Sequence, residues 1–201
     1  MTFFKHKYNH YSDEQLMQAI QVGNAAAFKV LYQRYSQRLL HFFCRLLGGD
    51  EEKAQDFLQD TFLKIVEKPH QFQIDKNFST WIFTVAYNLC KNEYRRQDVR
   101  KQFQNVPDLD AFVHNNGGEL QEVEQAIDQK LFEQALEKEL AQFDPERRSI
   151  FLLRFQQNFS IKEISDILKC AEGTVKSRLF YMTQKLGRVL KAYNPNEFEV
   201  S

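Results

Sequence analysis

Apolar residues recur at steps of three and four along almost the whole chain, and little interrupts them, because its 201 residues include only 7 Gly and 4 Pro. Such spacing lines apolar side chains along one stripe of a helix, whereas a half-buried strand would alternate them. An all-α fold is therefore expected, and the few breaks divide it. Ser12 and Gln15 have capping-box spacing, and Leu16 and Ile20 begin a short amphipathic helix that Gly23-Asn24 interrupts. A second helix carries Phe28, Leu31, Tyr32, Tyr35, Leu39, Phe42 and Leu46 on one face and ends at Gly48-Gly49. Asp50, Glu51 and Glu52 open a third at its positive dipole end; Ala54, Phe57, Leu58, Thr61, Phe62 and Ile65 form its core face, and Pro69 stops it. After a loop over residues 70–77, a fourth helix has Phe78, Trp81, Ile82, Val85, Ala86 and Leu89 on its core side and runs out through Tyr94-Arg95-Arg96.

Periodicity then fades between residues 97 and 125. There Pro107, Asn115-Asn116 and Gly117-Gly118 sit among acidic residues, with no Lys or Arg between Gln102 and Asp128. This reads as a flexible acidic linker over residues 98–127, joining a helical domain at 1–97 to a smaller one at 128–201. Helical spacing returns at Leu131, Ala135, Leu136 and Leu140, and restarts after Asp144-Pro145, an N-cap followed by a first-turn proline. No apolar run is long enough to cross a bilayer, and residues 1–10 lack an apolar signal region, so a soluble, cytoplasmic protein is expected. Cys44, Cys90 and Cys170 are odd in number and far apart, which argues against a disulfide framework or clustered metal ligands. His6 and His10 have one-turn spacing but no supporting ligand cluster, so no metal, cofactor or catalytic group is expected. The formal net charge is zero, yet its distribution is uneven enough for different segments to face different partners.

Three segments carry functional signals. In the last domain Ser160 and Glu163 form a capping box, Ile161, Ile164 and Ile167 a short apolar helix, and Lys169-Cys170-Ala171 a turn. The next helix turns Val175, Leu179, Met182, Leu186 and Leu190 inward and leaves Thr174, Lys176, Ser177, Arg178, Tyr181, Lys185 and Arg188 outside. No carboxylate lies between Thr174 and Lys191, and Thr174, Lys176, Ser177 and Arg178 supply the short hydroxyl and long basic side chains that a helix entering a DNA major groove needs to reach base edges and phosphates. On the fourth helix, Thr80, Thr84, Tyr87, Asn88, Lys91, Asn92, Arg95 and Arg96 are expected opposite the core, mixing rings and amides for unstacked bases with cations for phosphates. On the third, Asp56, Gln59, Asp60 and Leu63 make an acidic and amide face that suits a basic protein partner.

The runs themselves are similar to one family. Asp56-Phe57-Leu58-Gln59-Asp60-Thr61-Phe62 and Phe78-Ser79-Thr80-Trp81-Ile82-Phe83-Thr84-Val85-Ala86-Tyr87-Asn88 resemble regions 2.2 and 2.3 of the extracytoplasmic-function sigma factors, within the sigma-70 family. Asp144-Pro145-Glu146-Arg147-Arg148 and Gly173-Thr174-Val175-Lys176-Ser177-Arg178-Leu179 resemble region 4. The resemblance implies docking on core RNA polymerase through Asp56, Gln59, Asp60 and Leu63, and control by an anti-sigma factor. It implies capture of a base of the melted downstream (−10) promoter element by Phe72, Asn77, Thr84, Asn88 and the loop over 72–77, with Lys91, Arg95 and Arg96 on the backbone. Thr174, Lys176, Ser177, Arg178, Tyr181 and Lys185 would meet the upstream (−35) duplex, although Tyr181-Met182-Thr183 stands where many members carry basic residues. A homodimeric helix-turn-helix regulator would account for residues 160–191, but for neither of the other two runs.

Overall fold

The computed structural model describes residues 8–104 and 123–191, and among these residues it contains eight α-helices and no strand. The chain forms two compact units. In the first, α1 (Asp13–Gln21), α2 (Ala25–Leu46), α3 (Glu51–Glu67) and α4 (Phe78–Gln104) are separated by short breaks. Each break has a local cause. Ser12 and Gln15 close a reciprocal capping box on α1, Asn24 Oδ1 accepts from the amides of Ala26 and Ala27 to start α2, and Asp50 accepts from Lys53 N to start α3. Gly48 and Gly49 take positive φ after α2, a region open to Gly at little cost. Pro69 ends α3 in a single 3-10 turn, Pro69–Gln71.

The core of this unit is aromatic. Phe42, Phe43, Phe78 and Phe83 are fully buried, and edge-to-face pairs join α2 to α3 and α4: Phe42 with Phe83 at 5.4 Å, Tyr35 with Phe78 at 5.2 Å and Phe43 with Phe57 at 5.7 Å. Each such pair adds roughly 0.5–1.5 kcal/mol to the burial of its rings. Lys53 Nζ lies 3.0 Å from Glu93 Oε1 and ties the start of α3 to the second half of α4. That bond outweighs burial and holds the Glu93 carboxyl below the ordinary carboxylate range. Cys90 lies in the same core, and burial pushes its thiol up to about 12, so it is packing rather than a reactive group.

In the second unit, α5 (Val123–Ala141), α6 (Pro145–Phe155), α7 (Ile161–Leu168) and α8 (Glu172–Leu190) follow in order. Leu140 of α5 packs on Met182, Leu186 and Leu190 of α8, with Phe132, Leu136, Phe143 and Phe151 around them. Asp144 accepts from Arg147 N ahead of Pro145, and Ser160 and Glu163 make the expected capping box before α7. Lys169, at φ 56°, supplies the left-handed residue that turns α7 into α8.

Four local expectations are corrected. Helix α4 does not stop near Arg96 but continues to Gln104, and α5 begins at Val123, so the helices reach into the segment read as linker; residues 105–122 lie outside the described residues. Tyr32, read as core, and Leu131, read within the apolar spacing of the fifth helix, are exposed; Tyr32 keeps ring contacts with Phe28 and Phe62, and Phe132 rather than Leu131 packs beside the core. Tyr87, read as solvent-facing, is buried. A stripe wider than three positions explains it, because α4 is covered on two sides and also buries Phe83 and Cys90.

Candidate functional site

On α3 the core side is taken by Ala54, Leu58, Thr61, Phe62 and Ile65, with the Thr61 hydroxyl donating to Phe57 O at 2.7 Å so that no buried polar group is left open. The opposite side presents Asp56, Gln59 and Asp60, all exposed, and Leu63 at 52%. Val66, 55% exposed and one turn beyond Leu63, extends the apolar end of this face. The resulting strip is acidic at one end and aliphatic at the other, and spans about 15 Å of helix. Val66 was not singled out in the sequence, where one apolar residue near a helix end carries no signal of a partner.

The loop before α4 is built differently from expectation. Phe72 is only 1% exposed, with its ring 5.4 Å from both Phe78 and Trp81, so its side chain anchors the loop in the core and is not available to a base. Residues 73–77 that follow are all exposed. Asn77 Oδ1 accepts from Thr80 N at 2.9 Å and from the hydroxyls of Ser79 and Thr80, which leaves only its amide nitrogen to face outward. Thr84 is half-buried and donates its hydroxyl to Thr80 O, whereas Asn88 one turn on is exposed. Lys91 lies over the ring of buried Tyr87, at 5.7 Å, so Tyr87 acts as a floor beneath the cation. Further along, Arg95, Arg96, Val99 and Arg100 are all exposed and lie together on one face of α4. Val99 and Arg100 escaped sequence reasoning because the helix carrying them has no core face there to give it a period.

On α8, Val175, Leu179, Met182, Leu186 and Leu190 are buried as expected. The N-cap residue Ala171 makes no side-chain cap; Thr174 N donates to Ala171 O at 2.9 Å, and the amides of Glu172 and Gly173 at the start of α8 are left for an outside acceptor such as a phosphate. Lys176 and Ser177 are exposed and Thr174 is half-buried. Arg178 is the residue that departs from expectation. Its Nη1 lies 2.7 Å from Glu146 Oε1 of α6, and its side chain is 28% exposed. The pairing of the guanidinium with the Glu146 carboxylate outweighs burial and holds Arg178 more firmly charged. Lys176 in turn comes within 4.0 Å of Glu172. The acid-free stretch from Thr174 onward therefore has two carboxylates beside it, Glu172 from the first turn of α8 and Glu146 from α6. Lys185 donates to Gln142 and lies 4.9 Å from the Phe143 ring centre, which draws it toward α5 and away from the outer face. Tyr181 is 68% exposed and pairs edge-on with Phe180, itself 61% exposed. Phe180 was missed because a lone Phe within a helix reads as core.

Residues 31–100 match the family model described as Sigma-70 region 2, and residues 133–180 match Sigma-70, region 4. The chain belongs to the sigma-70 family. Within it the chain is of the extracytoplasmic-function type. It is 28% identical over 172 residues to the ECF RNA polymerase sigma-E factor of Escherichia coli (strain K12), covering 84% of this chain and 89% of that protein. It is 27% identical over 182 residues to the RNA polymerase sigma-H factor of Pseudomonas aeruginosa, covering 89% and 94%. The solved structure of the sigma factor RpoE in complex with the anti-sigma factor NepR, from Bartonella quintana, is similar with a TM-score of 0.66 and 25% identity over 82% of this chain and 96% of that one. A structure of CnrH in complex with the cytosolic domain of CnrY shares the fold, at a TM-score of 0.63 and 22% identity over 90% and 97%. In these terms α2 to α4 are the region 2 unit, and α5 to α8 hold the region 4 match.

Proposed function

We propose that this sigma factor binds core RNA polymerase in the cytoplasm, directs it to promoters and supports strand opening by binding the opened form, with no catalysis of its own. The observation that carries the reading is the presence, in one chain, of both sigma-70 regions with their outward residues largely unclaimed by the fold. Asp56, Gln59, Asp60, Leu63 and Val66 form the polymerase-docking strip: exposed carboxylates steer a basic partner, and the aliphatic end supplies burial. The loop over 73–77, with Asn77 and Asn88, receives an unstacked base of the non-template strand, while Lys91, Arg95, Arg96 and Arg100 follow its phosphates. Lys176, Ser177 and the amides of Glu172 and Gly173 approach the upstream duplex, with Thr174 and Tyr181 beside them. Arg178 contacts DNA by exchanging or sharing its Glu146 partner. An anti-sigma protein occupies some of these surfaces in the inhibited state; the resemblance to a sigma factor crystallised with its anti-sigma factor supports this.

The test is run-off transcription by bacterial core polymerase on a pool of promoter fragments, with the wild-type chain and with Asp60→Arg. Transcripts that require the chain and vanish with the variant are expected. Tight duplex binding by the chain alone, with no transcript from any fragment, would replace this reading with a homodimeric regulator.

A further inference from the structure

Helix α1 lies outside the region 2 match, which begins at residue 31, and no surface assigned above uses it. Two of its polar contacts nevertheless converge on one place. Gln21 Nε2, at the end of α1, donates to Pro69 O and to Phe72 O, both at 3.1 Å. Glu14, at the start of α1, accepts the backbone N–H of Phe78 at 3.0 Å. Residues 72 and 78 are the two ends of the exposed loop over 73–77. Glu14 and Gln21 are two helical turns apart and so lie on one face of α1, about 10 Å from each other along its axis.

We propose that α1 is a clamp that sets the span and entry angle of the base-capture loop, with Gln21 and Glu14 as its positioning residues. The inference rests on the reading of that loop as the base-binding segment. Each end of the loop is held twice. Phe72 has its ring in the core and its carbonyl on Gln21, while the Asn77-Phe78 end has the Asn77 cap from α4 and the Glu14 carboxylate from α1. Inside the span, Lys76 N to Gln73 O is a turn that stiffens the tip. The side chains of residues 73–77 stay exposed, so the clamp works through backbone groups and leaves the recognition face open. A loop fixed at both ends loses less entropy when a base docks, and it presents one geometry to that base. Glu14 itself is anchored: burial pushes its carboxyl up, but the bonds from Phe78 N–H, its own amide and Ser12 together bring it below the ordinary range, so it is ionised and able to accept at neutral pH. The clamp is tied down further by Asp13, which receives Arg34 at 2.6 Å and the Tyr35 hydroxyl, both from α2.

The experiment uses holoenzyme assembled from bacterial core polymerase and the full chain. A single-stranded DNA pool with a short randomised window is the probe, and sequencing of the bound fraction gives base discrimination at each position. Gln21→Met keeps the length and removes the donor; Gln21→Lys restores a donor; a third variant replaces residues 73–76 with Gly and Ser. The expected result is a loss of base discrimination of about tenfold in Gln21→Met, the low end for two hydrogen bonds. Recovery in Gln21→Lys and unchanged affinity for core polymerase are expected with it. Faster hydrogen exchange over residues 73–77, with α2 and α3 unaltered, accompanies the loss. Discrimination that survives Gln21→Met but collapses in the loop replacement overturns the clamp and leaves the loop reading standing. Discrimination that survives the loop replacement overturns the loop reading, and the clamp with it. Parallel loss of polymerase affinity in Gln21→Met shows a structural role alone and also overturns the proposal.

Discussion

Replacing Phe72 with Ala separates two roles that cannot both belong to its side chain. In the structure the ring is almost wholly buried, and it packs edge-on against Phe78 and Trp81 at 5.4 Å. Removing a buried Phe side chain costs about 3–5 kcal/mol, from lost transfer energy plus the cavity that remains. The low end applies here, because the exposed residues 73–77 follow Phe72 directly and the chain can partly close over the gap. A unit of this size has only roughly 5–15 kcal/mol of stability, so a loss of about 3 is large. With a urea m-value of about 1.5–2 kcal/mol/M, the midpoint should fall by about 1.5–2 M. Trp81 is the only Trp in the chain and touches the missing ring, so its fluorescence follows unfolding of the first unit directly. An unchanged midpoint and slope in Phe72→Ala, combined with loss of single-strand binding, would refute the placement of Phe72 in the core and return it to the base-contacting set.

Leu63→Asp and Val66→Asp should each weaken binding to core polymerase at least tenfold in a fluorescence-anisotropy titration, while stability changes by no more than about 0.5 kcal/mol because both side chains are exposed. Lys176→Ala should weaken duplex promoter binding by holoenzyme equally across sequences and lower the salt slope by about one; a change confined to one base position would show that it reads sequence. Glu146→Gln frees Arg178 and should raise nonspecific DNA affinity measured in low salt, with a stability loss of about 0.5 kcal/mol or less, since both side chains are partly exposed and screened. The Glu14 and Glu93 carboxyls both lie below their ordinary range in the folded chain, so the stability they contribute is present above the unfolded value and lost as pH falls through the folded one. Urea midpoints read by Trp81 should drop on acidification below the ordinary carboxylate range, and the Glu14→Gln variant should show a shallower drop.

What the sequence determined by itself was whatever three or four neighbouring residues decide. The capping boxes at Ser12 and Ser160, the Asp144-Pro145 start of α6 and the Gly48-Gly49 stop all stand where spacing put them, because donor and acceptor are within one turn of each other. The exposed strip on α3 and the buried face of α8 were legible for the same reason: a 3.6-residue period assigns every position of an isolated amphipathic helix to a side. Tertiary structure decided what periodicity cannot carry. It turned Phe72 and Tyr87 inward, since a ring in a loop or at the flank of a stripe is buried only if another helix arrives to cover it. It extended α4 to Gln104, and over residues 98–100, all exposed, the helix has no core face and so leaves no apolar period to read. Arg178 met Glu146, and Glu14 and Gln21 met the two ends of a loop, through contacts between distant parts of the chain. Such pairs leave no trace in local spacing, because the chain between them can be rewritten freely so long as the fold brings the two groups within hydrogen-bonding reach.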